Sequence, residues 1–236
     1  MHAPEQAANN TRYDRYPQIF RTVQRAAGPE PLRILSFGCS TGEEPKTLAE
    51  KYFAGSHILG VDVAQDVLQK ARALTAHLPN VTIASSEAEI ISGFGPYDAI
   101  FAMSVLCRNP APKDGRWNDF PFQRFESRVA ELNAQLKPDG IFVLVNANYN
   151  LTQSRLIRFF DLVVCEGMEA PGQVWKLAPD GSNLEKPGGG LLESRSATDC
   201  VFRKRRQPWP DGASIPLRIA NPDGTDLVTI WLSCAN

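Results

Sequence analysis

Ile34-Leu35-Ser36-Phe37-Gly38-Cys39-Ser40-Thr41-Gly42-Glu43-Glu44 is an apolar run that breaks into a glycine-containing turn and then opens a helix. Glycine lets such a turn take positive φ and lets a ligand approach the backbone closely. Working outward, the pattern predicts a strand over 32–37 and a helix over 43–53. Further elements follow: a strand over 58–61, a helix over 66–77, a strand over 81–84, a short helix over 87–91 and a strand over 98–103. A helix over 125–136 stops at Lys137-Pro138-Asp139-Gly140, and the uniformly apolar stretch 141–145 reads as a strand covered on both faces. Strands alternating with helices at this spacing predict a doubly wound parallel sheet.

Both ends carry additions. Residues 1–31 read as a helical preamble, with Tyr13, Tyr16, Ile19, Phe20 and Val23 at roughly helical spacing before Gly28, Pro29 and Pro31 break it. After Asn150 the pattern gives a helix over 152–160 and strands over 162–165, 174–177 and 200–203. A last pair, 215–219 and 227–232, flanks the turn Asn221-Pro222-Asp223-Gly224. The expected architecture is α/β: a Rossmann-like, seven-strand doubly wound sheet with a C-terminal β-hairpin extension. It forms one domain over 1–236, with the preamble at 1–31, the core at 32–206 and the hairpin at 207–236.

Composition narrows the function. The chain has 236 residues, a formal net charge of −1 and a 43% hydrophobic share, so no global basic field exists to hold nucleic acid or an anionic membrane. Residues 1–10 are polar, no apolar run reaches the ~20 residues of a membrane helix, and the five cysteines form no CxxC pair. The expectation is a cytoplasmic protein with reduced thiols.

The turn differs from the GxGxxG of dinucleotide folds, since Gly38 and Gly42 enclose Cys39-Ser40-Thr41. Glu43 and Glu44 at the helix start would repel a pyrophosphate seated there. A ligand with an amino group and a sulfonium, such as S-adenosylmethionine (SAM), suits them better. Asp62 ends the second strand, where a carboxylate can accept the ribose hydroxyls of a nucleoside. Val63 follows it. Ser85, Ser86 and Glu87 follow the third strand, where they serve equally as an adenine contact or as a cap for the next helix. The expected cofactor-binding set is Gly38, Cys39, Ser40, Gly42, Glu43, Asp62, Val63, Ser86, Glu87, Met103 and Ser104, with S-adenosylhomocysteine (SAH) as product.

Cys39-Ser40-Thr41-Gly42-Glu43-Glu44-Pro45 resembles the SAM-binding motif of the chemotaxis receptor methyltransferases, the CheR family. Gly60-Val61-Asp62-Val63 with Val67-Leu68-Gln69-Lys70-Ala71 is similar to that family's second motif. Tyr97-Asp98-Ala99-Ile100-Phe101 and Leu136-Lys137-Pro138-Asp139-Gly140 match its fourth and fifth strand entries. The resemblance covers roughly 32–148 and implies a class I methyltransferase fold, with Glu43 approaching the methionine amino group and Asp62 the ribose. Met103 and Ser104 stand where receptor methyltransferases carry Arg-Asn, and the preamble is shorter than that family's N-terminal helical domain. The fold and cofactor therefore transfer, and a chemoreceptor glutamate does not follow as the substrate.

The acceptor is read by elimination. None of the three histidines sits at a C-terminal strand end. Met103-Ser104 is not the Asn/Asp-Pro-Pro-aromatic tetrad of amino-group methyltransferases. The remaining candidates are Arg108, Trp117, Asp119, Phe120 and Phe122 in the stretch 108–122, Asn146, Asn148 and Tyr149 after the fifth strand, and Tyr13 and Tyr16. Aromatic walls with one cation suit a small-molecule acceptor that is partly apolar and acidic. The expected substrate residues are Arg108, Trp117, Phe120, Tyr13 and Tyr149, and Asp119 is the carboxylate named as base. A protein-carboxylate methyltransferase and a SAM-binding sensor without turnover remain the alternatives. Arg203-Lys204-Arg205-Arg206 is the one dense basic run and reads as a solvated strand end. The oligomeric state is left open.

No His, Cys or carboxylate cluster with metal-ligand spacing occurs at the strand ends. Methyl transfer is therefore expected to survive exhaustive chelation: activity assayed in EDTA should match the untreated rate. Loss restored by Mg²⁺ or Zn²⁺ would contradict this.

Overall fold

The computed structural model describes residues 11–29, 31–107, 120–165, 174, 176–184, 200–212 and 214–233. Helix α1 (Pro17–Ala26) opens with proline at its first turn, where a missing N–H costs nothing. Strand β1 (Arg33–Phe37) runs through the glycine turn into α2 (Glu43–Thr47), which continues as a π turn (Leu48–Tyr52). Then follow β2 (His57–Asp62), α3 (Gln65–Thr75), β3 (Val81–Ser85), α4 (Ala88–Phe94) and β4 (Tyr97–Met103). Next come α5 (Phe122–Gln135) and β5 (Leu136–Val145). After two 3₁₀ turns (Leu151–Gln153 and Arg155–Phe159) the chain finishes with β6 (Phe160–Val163), β7 (Val201–Lys204), β8 (Ser214–Ala220) and β9 (Asp226–Ser233).

Among the described residues nine strands form one sheet, in the order β3-β2-β1-β4-β5-β7-β6-β8-β9. β1 to β5 pair in parallel, β7 runs antiparallel between β5 and β6, and β8 joins β6 in parallel. The first seven positions make the Rossmann-like sheet expected from the pattern. The β8–β9 hairpin extends it rather than standing apart, and β9 leaves Leu227, Val228, Ile230 and Trp231 exposed.

Period-two alternation splits the core between two faces of the sheet. Leu35, Phe37, Leu59, Val61, Ile100, Phe142 and Leu144 pack with α5 residues Phe125, Val129 and Leu132 and with Ile91 of α4. On the other face Ile34, Ile58, Phe101, Ile141 and Val143 meet Ile19, Phe20 and Val23 of α1 and Leu48 and Tyr52 of the π turn.

Three elements depart from the pattern. The stretch expected as a helix over 152–160 is two 3₁₀ turns, because the Ser154 side chain accepts the Leu156 N–H and interrupts the helical ladder. The strand expected over 174–177 is, among the described residues, an isolated bridge between Leu177 and Asn183, and the Leu177 N–H bonds the Asn148 carbonyl instead of the sheet. Residues 137–140 lie inside β5 at a register shift against β4, with Asp139 at φ 63°. The stop signal there ends the helix and bulges the following strand at once.

Gly42 caps α2 at φ 96°, and a Cβ on it would lie 2.9 Å from the Ala71 Cα. Gly42→Ala therefore meets both backbone strain and a clash with α3. A loss of about 2–4 kcal/mol is expected, seen as a lower urea midpoint at unchanged slope. A wild-type midpoint would show that the turn relaxes freely.

Candidate active site

The glycine turn is built from the strand ends upward. Val61, in β2, accepts the N–H groups of Gly38 (2.8 Å) and Cys39 (2.9 Å) at its carbonyl. Gly38 is at φ 77°, and a Cβ there would lie 2.6 Å from Val105, so the position excludes a side chain. Ser40 is left-handed at φ 49°. Asp62 then locks the turn: one carboxylate oxygen accepts the Ser40 N–H at 3.0 Å and the other the Ala64 N–H at 3.1 Å. Asp62 is buried, and each oxygen keeps a lone pair for a further donor.

A narrow cleft opens beside this turn. Its walls include Thr11, Arg12, Arg15, Tyr16 and Phe20 from the N-terminal segment, Gly38, Cys39 and Ser40 from the turn, Glu44 and Thr47 from α2, and Met103 and Ser104 at the end of β4. Glu44 accepts the Ser36 hydroxyl at 2.7 Å. Burial pushes its carboxyl up to about 7, against the opposing pull of that hydroxyl and of the Arg15 guanidinium. Opposite, the Asn146 amide donates to the Tyr16 hydroxyl (2.8 Å) and to the Ser104 hydroxyl (3.0 Å). The arrangement sets an acid and a guanidinium beside a neutral polar trio, with the Arg15 guanidinium 5.0 Å over the Tyr16 ring. It suits a zwitterionic group lying beside a polar reaction surface.

Several expected residues meet here and others do not. Gly38, Ser40, Gly42, Asp62, Met103 and Ser104 are gathered at the ends of β1, β2 and β4. Cys39 offers backbone alone, because its thiol packs among Leu68, Ala71 and Ile83 and burial pushes it far up. The glutamate in the cleft wall is Glu44; Glu43 accepts the Thr41 hydroxyl at 2.7 Å. Val63 is exposed beside Asp62, Ser86 donates its N–H to the Asp62 carbonyl at 3.1 Å, and Glu87 stands at the N-cap of α4.

The acceptor set needs correction. Tyr149 is 1% exposed and donates its hydroxyl to the Phe120 carbonyl at 3.1 Å. Phe120, Phe122, Phe125 and Tyr149 stack as one aromatic group under α5, so Phe120 and Tyr149 are core and not a pocket wall. Tyr13 is 45% exposed and faces Glu50, while Tyr16 is the tyrosine in the cleft. Arg108, Trp117 and Asp119 lie outside the described residues. The basic run is not a free platform: Arg203 donates to the Ala26 and Pro222 carbonyls, Lys204 to the Leu136 carbonyl, and Arg205 and Arg206 pair with Asp161 and Asp139.

A glycine turn, an acidic β2 end and a cleft at the C-terminal ends of β1 and β4 give the chain the Rossmann-like architecture, in which ligands sit outside the carboxyl ends of the strands. Residues 11–177 match the methyltransferase domain family, and the chain belongs to that family. It is 29% identical over 133 residues to a malonyl-[acyl-carrier protein] O-methyltransferase of Halalkalibacterium halodurans, covering 55% of this chain and 44% of that protein. It is also 29% identical over 142 residues to the Bacillus subtilis protein YqeM, named as a methyltransferase, covering 58% and 51%. The chain spans about half the length of these curated relatives. Among solved structures it is similar to the N-methyltransferase NodS of Bradyrhizobium japonicum WM9, with a TM-score of 0.47 at 15% identity over 79% of this chain and 93% of that one. The family matched is the general methyltransferase domain, and the likeness of 32–148 to receptor methyltransferases stays a resemblance of sequence motifs. Among the described residues no metal-holding cluster and no helix long and apolar enough to cross a membrane occurs.

Glu44 gives the cleft a pH signature. Below about 7 its carboxyl holds a proton; above, it is an anion able to hold an ammonium group. Affinity for SAH should therefore rise with pH, up to about tenfold between pH 6 and pH 8 for one linked proton, with proton release on binding at the acid end. Titration calorimetry in buffers of different ionisation enthalpy measures both. Glu44→Gln should flatten the profile, and an unchanged profile would remove Glu44 from the site.

Proposed function

We propose that this chain is a SAM-dependent methyltransferase that transfers a methyl group to an oxygen, nitrogen or sulfur of a small-molecule acceptor. The observation that carries this reading is the cleft in which Glu44 and Arg15 face each other beside a turn locked by Asp62. The residues fit the cofactor. Glu44 suits the methionine ammonium, Arg15 its carboxylate and Asp62 the ribose hydroxyls, with exposed Val63 beside the adenine. Ser40 adds a buried hydroxyl oxygen with no hydrogen-bond partner among the described residues, at the lip of the turn.

The cofactor supplies an already activated sulfonium methyl, so the protein's contribution is placement and exclusion of water. Glu44 and Arg15 fix the charged tail, and Asp62 fixes the sugar. Tyr16, Ser104 and Asn146 present hydroxyl and amide groups at the end of β4, next to where an acceptor atom would approach. Both hydroxyls accept from the Asn146 amide and bond to one another, which fixes the trio as one polar surface. Arg108 and Trp117 are proposed to hold the acceptor's acidic and apolar parts, and Asp119 to take its proton.

The test is SAH formation over a panel of small O, N and S nucleophiles, partly apolar acids included, with a glutamate-bearing receptor peptide as comparison. Asp62→Ala should weaken SAH binding at least about tenfold, roughly 1.4 kcal/mol. Trp117→Ala and Arg108→Ala should raise the acceptor KM while holding SAM affinity within about threefold. Tight binding without turnover on any acceptor would favour a sensor. Tighter binding of a nicotinamide dinucleotide than of SAM would overturn the reading.

A further inference from the structure

Asp14 lies outside the cleft wall, yet it makes three bonds to the helix that forms the wall. Its N–H donates to the Thr47 hydroxyl at 2.9 Å, and Thr47 itself lines the cleft. One carboxylate oxygen accepts the Tyr52 hydroxyl at 2.7 Å and the other takes the Lys51 ammonium. The residue sits at φ 53°, a left-handed conformation that aspartate tolerates better than most side chains. The two partners of its carboxylate occupy the π turn, closed by the Phe53 N–H on the Leu48 carbonyl at 2.7 Å, and π turns inside helices frequently accompany functional sites. There the neighbouring residues Lys51 and Tyr52 both reach one carboxylate. Gln24 of α1 braces the same turn by donating to the Tyr52 carbonyl at 2.7 Å.

The two residues after Asp14 both line the cleft. Arg15 lies over the Tyr16 ring at 5.0 Å and acts on Glu44, while Tyr16 is buried with its hydroxyl bonded to Asn146 beyond β5. The segment therefore runs from the π turn at one anchor to the β5 end at the other, and it crosses the cleft between them.

Resting on the methyltransferase reading, we propose that Asp14 is a positioning residue for the cofactor. By clasping Thr47, Lys51 and Tyr52 it holds Arg15 across the methionine end of the site, while Tyr16 is anchored separately by Asn146. The cofactor and its product then leave only when this clasp lets go. Asp14 touches neither cofactor nor acceptor, so its loss acts on affinity and release and not on acceptor recognition.

The variants are Asp14→Asn, which removes the charge that holds Lys51, and Tyr52→Phe, which removes the second bond. Calorimetry and stopped-flow displacement with SAH give affinity and release rate, and steady-state assays give KM for each substrate. Asp14→Asn should weaken SAH about tenfold, chiefly by faster release, and raise the SAM KM in step. The acceptor KM should stay within threefold and the urea midpoint close to wild type. Tyr52→Phe should shift the same quantities less. Limited trypsin digestion at Arg12 and Arg15 should quicken in Asp14→Asn, and SAH should slow it in the wild type. Asp139→Asn, which breaks the remote Arg206 pair, should change none of these. Wild-type SAH affinity in Asp14→Asn would overturn the clasp, as would a weakening that merely follows the fraction unfolded. A wild-type chain that binds no SAH at all would overturn the methyltransferase reading itself, and the clasp with it.

Discussion

The bond from the Ser40 N–H to the Asp62 carboxylate, 3.0 Å long and buried, joins the ends of two adjacent strands. A left-handed turn with N–H groups facing inward has few ways to satisfy them, and a buried donor left unpaired costs about 1–3 kcal/mol. Asp62 answers for Ser40, and the Val61 carbonyl answers for Gly38 and Cys39. The start of α2 is thereby set against β2, which decides where Glu44 and Thr47 stand and where the N-terminal segment can dock. One carboxylate thus serves the shape of the turn before it serves any ligand.

The rim of the sheet holds more strain than its interior. Ser40 beyond β1, Ser104 beyond β4 and Asn146 beyond β5 are all left-handed, at φ 49°, 60° and 53°. Each such residue costs of order 1–3 kcal/mol and persists where its surroundings over-determine it. Here they do: Ser104 donates its N–H to the Val145 carbonyl, and the Asn146 side chain ties Ser104 to Tyr16. Because β1, β4 and β5 are neighbours in the sheet, the three irregular residues share one edge. The chain turns sharply there, which keeps backbone bulk away from the cleft and brings short polar side chains to it.

The cleft sets charged groups beside neutral ones. At the α2 end burial makes the Glu44 charge costly, and the Arg15 guanidinium offsets part of that cost. At the β5 end the groups are neutral and bonded to one another. The basic run at 203–206 is spent on carbonyls and carboxylates of the protein itself, among them Asp161, which also meets Arg218. Those ties fasten the C-terminal strands to the sheet.

Alternation of apolar strands with helices, the glycine spacing around 38–42 and the turn at 221–224 are local properties, and they determined the sheet, its hairpin extension and the place of the crevice. Short-range backbone preference and burial period act over a few residues, so a linear reading recovers them. Which side chains face that crevice was decided by tertiary structure. Consecutive helical residues point about 100° apart, so the pose of the turn selects Glu44 over Glu43. The N-terminal segment enters at an angle fixed by Asp14, which turns Tyr16 inward and leaves Tyr13 outside. Phe120 and Tyr149 are aromatic in either reading, and the arrival of α5 over the sheet makes them core. The strand expected at 174–177 yields to a partner distant in sequence, whose geometry no window of sequence contains, and the helix expected at 152–160 yields to a competing serine two residues from the N–H it takes. Elements follow from periodicity, whereas the facing of a side chain follows from the rigid-body placement of the element that bears it.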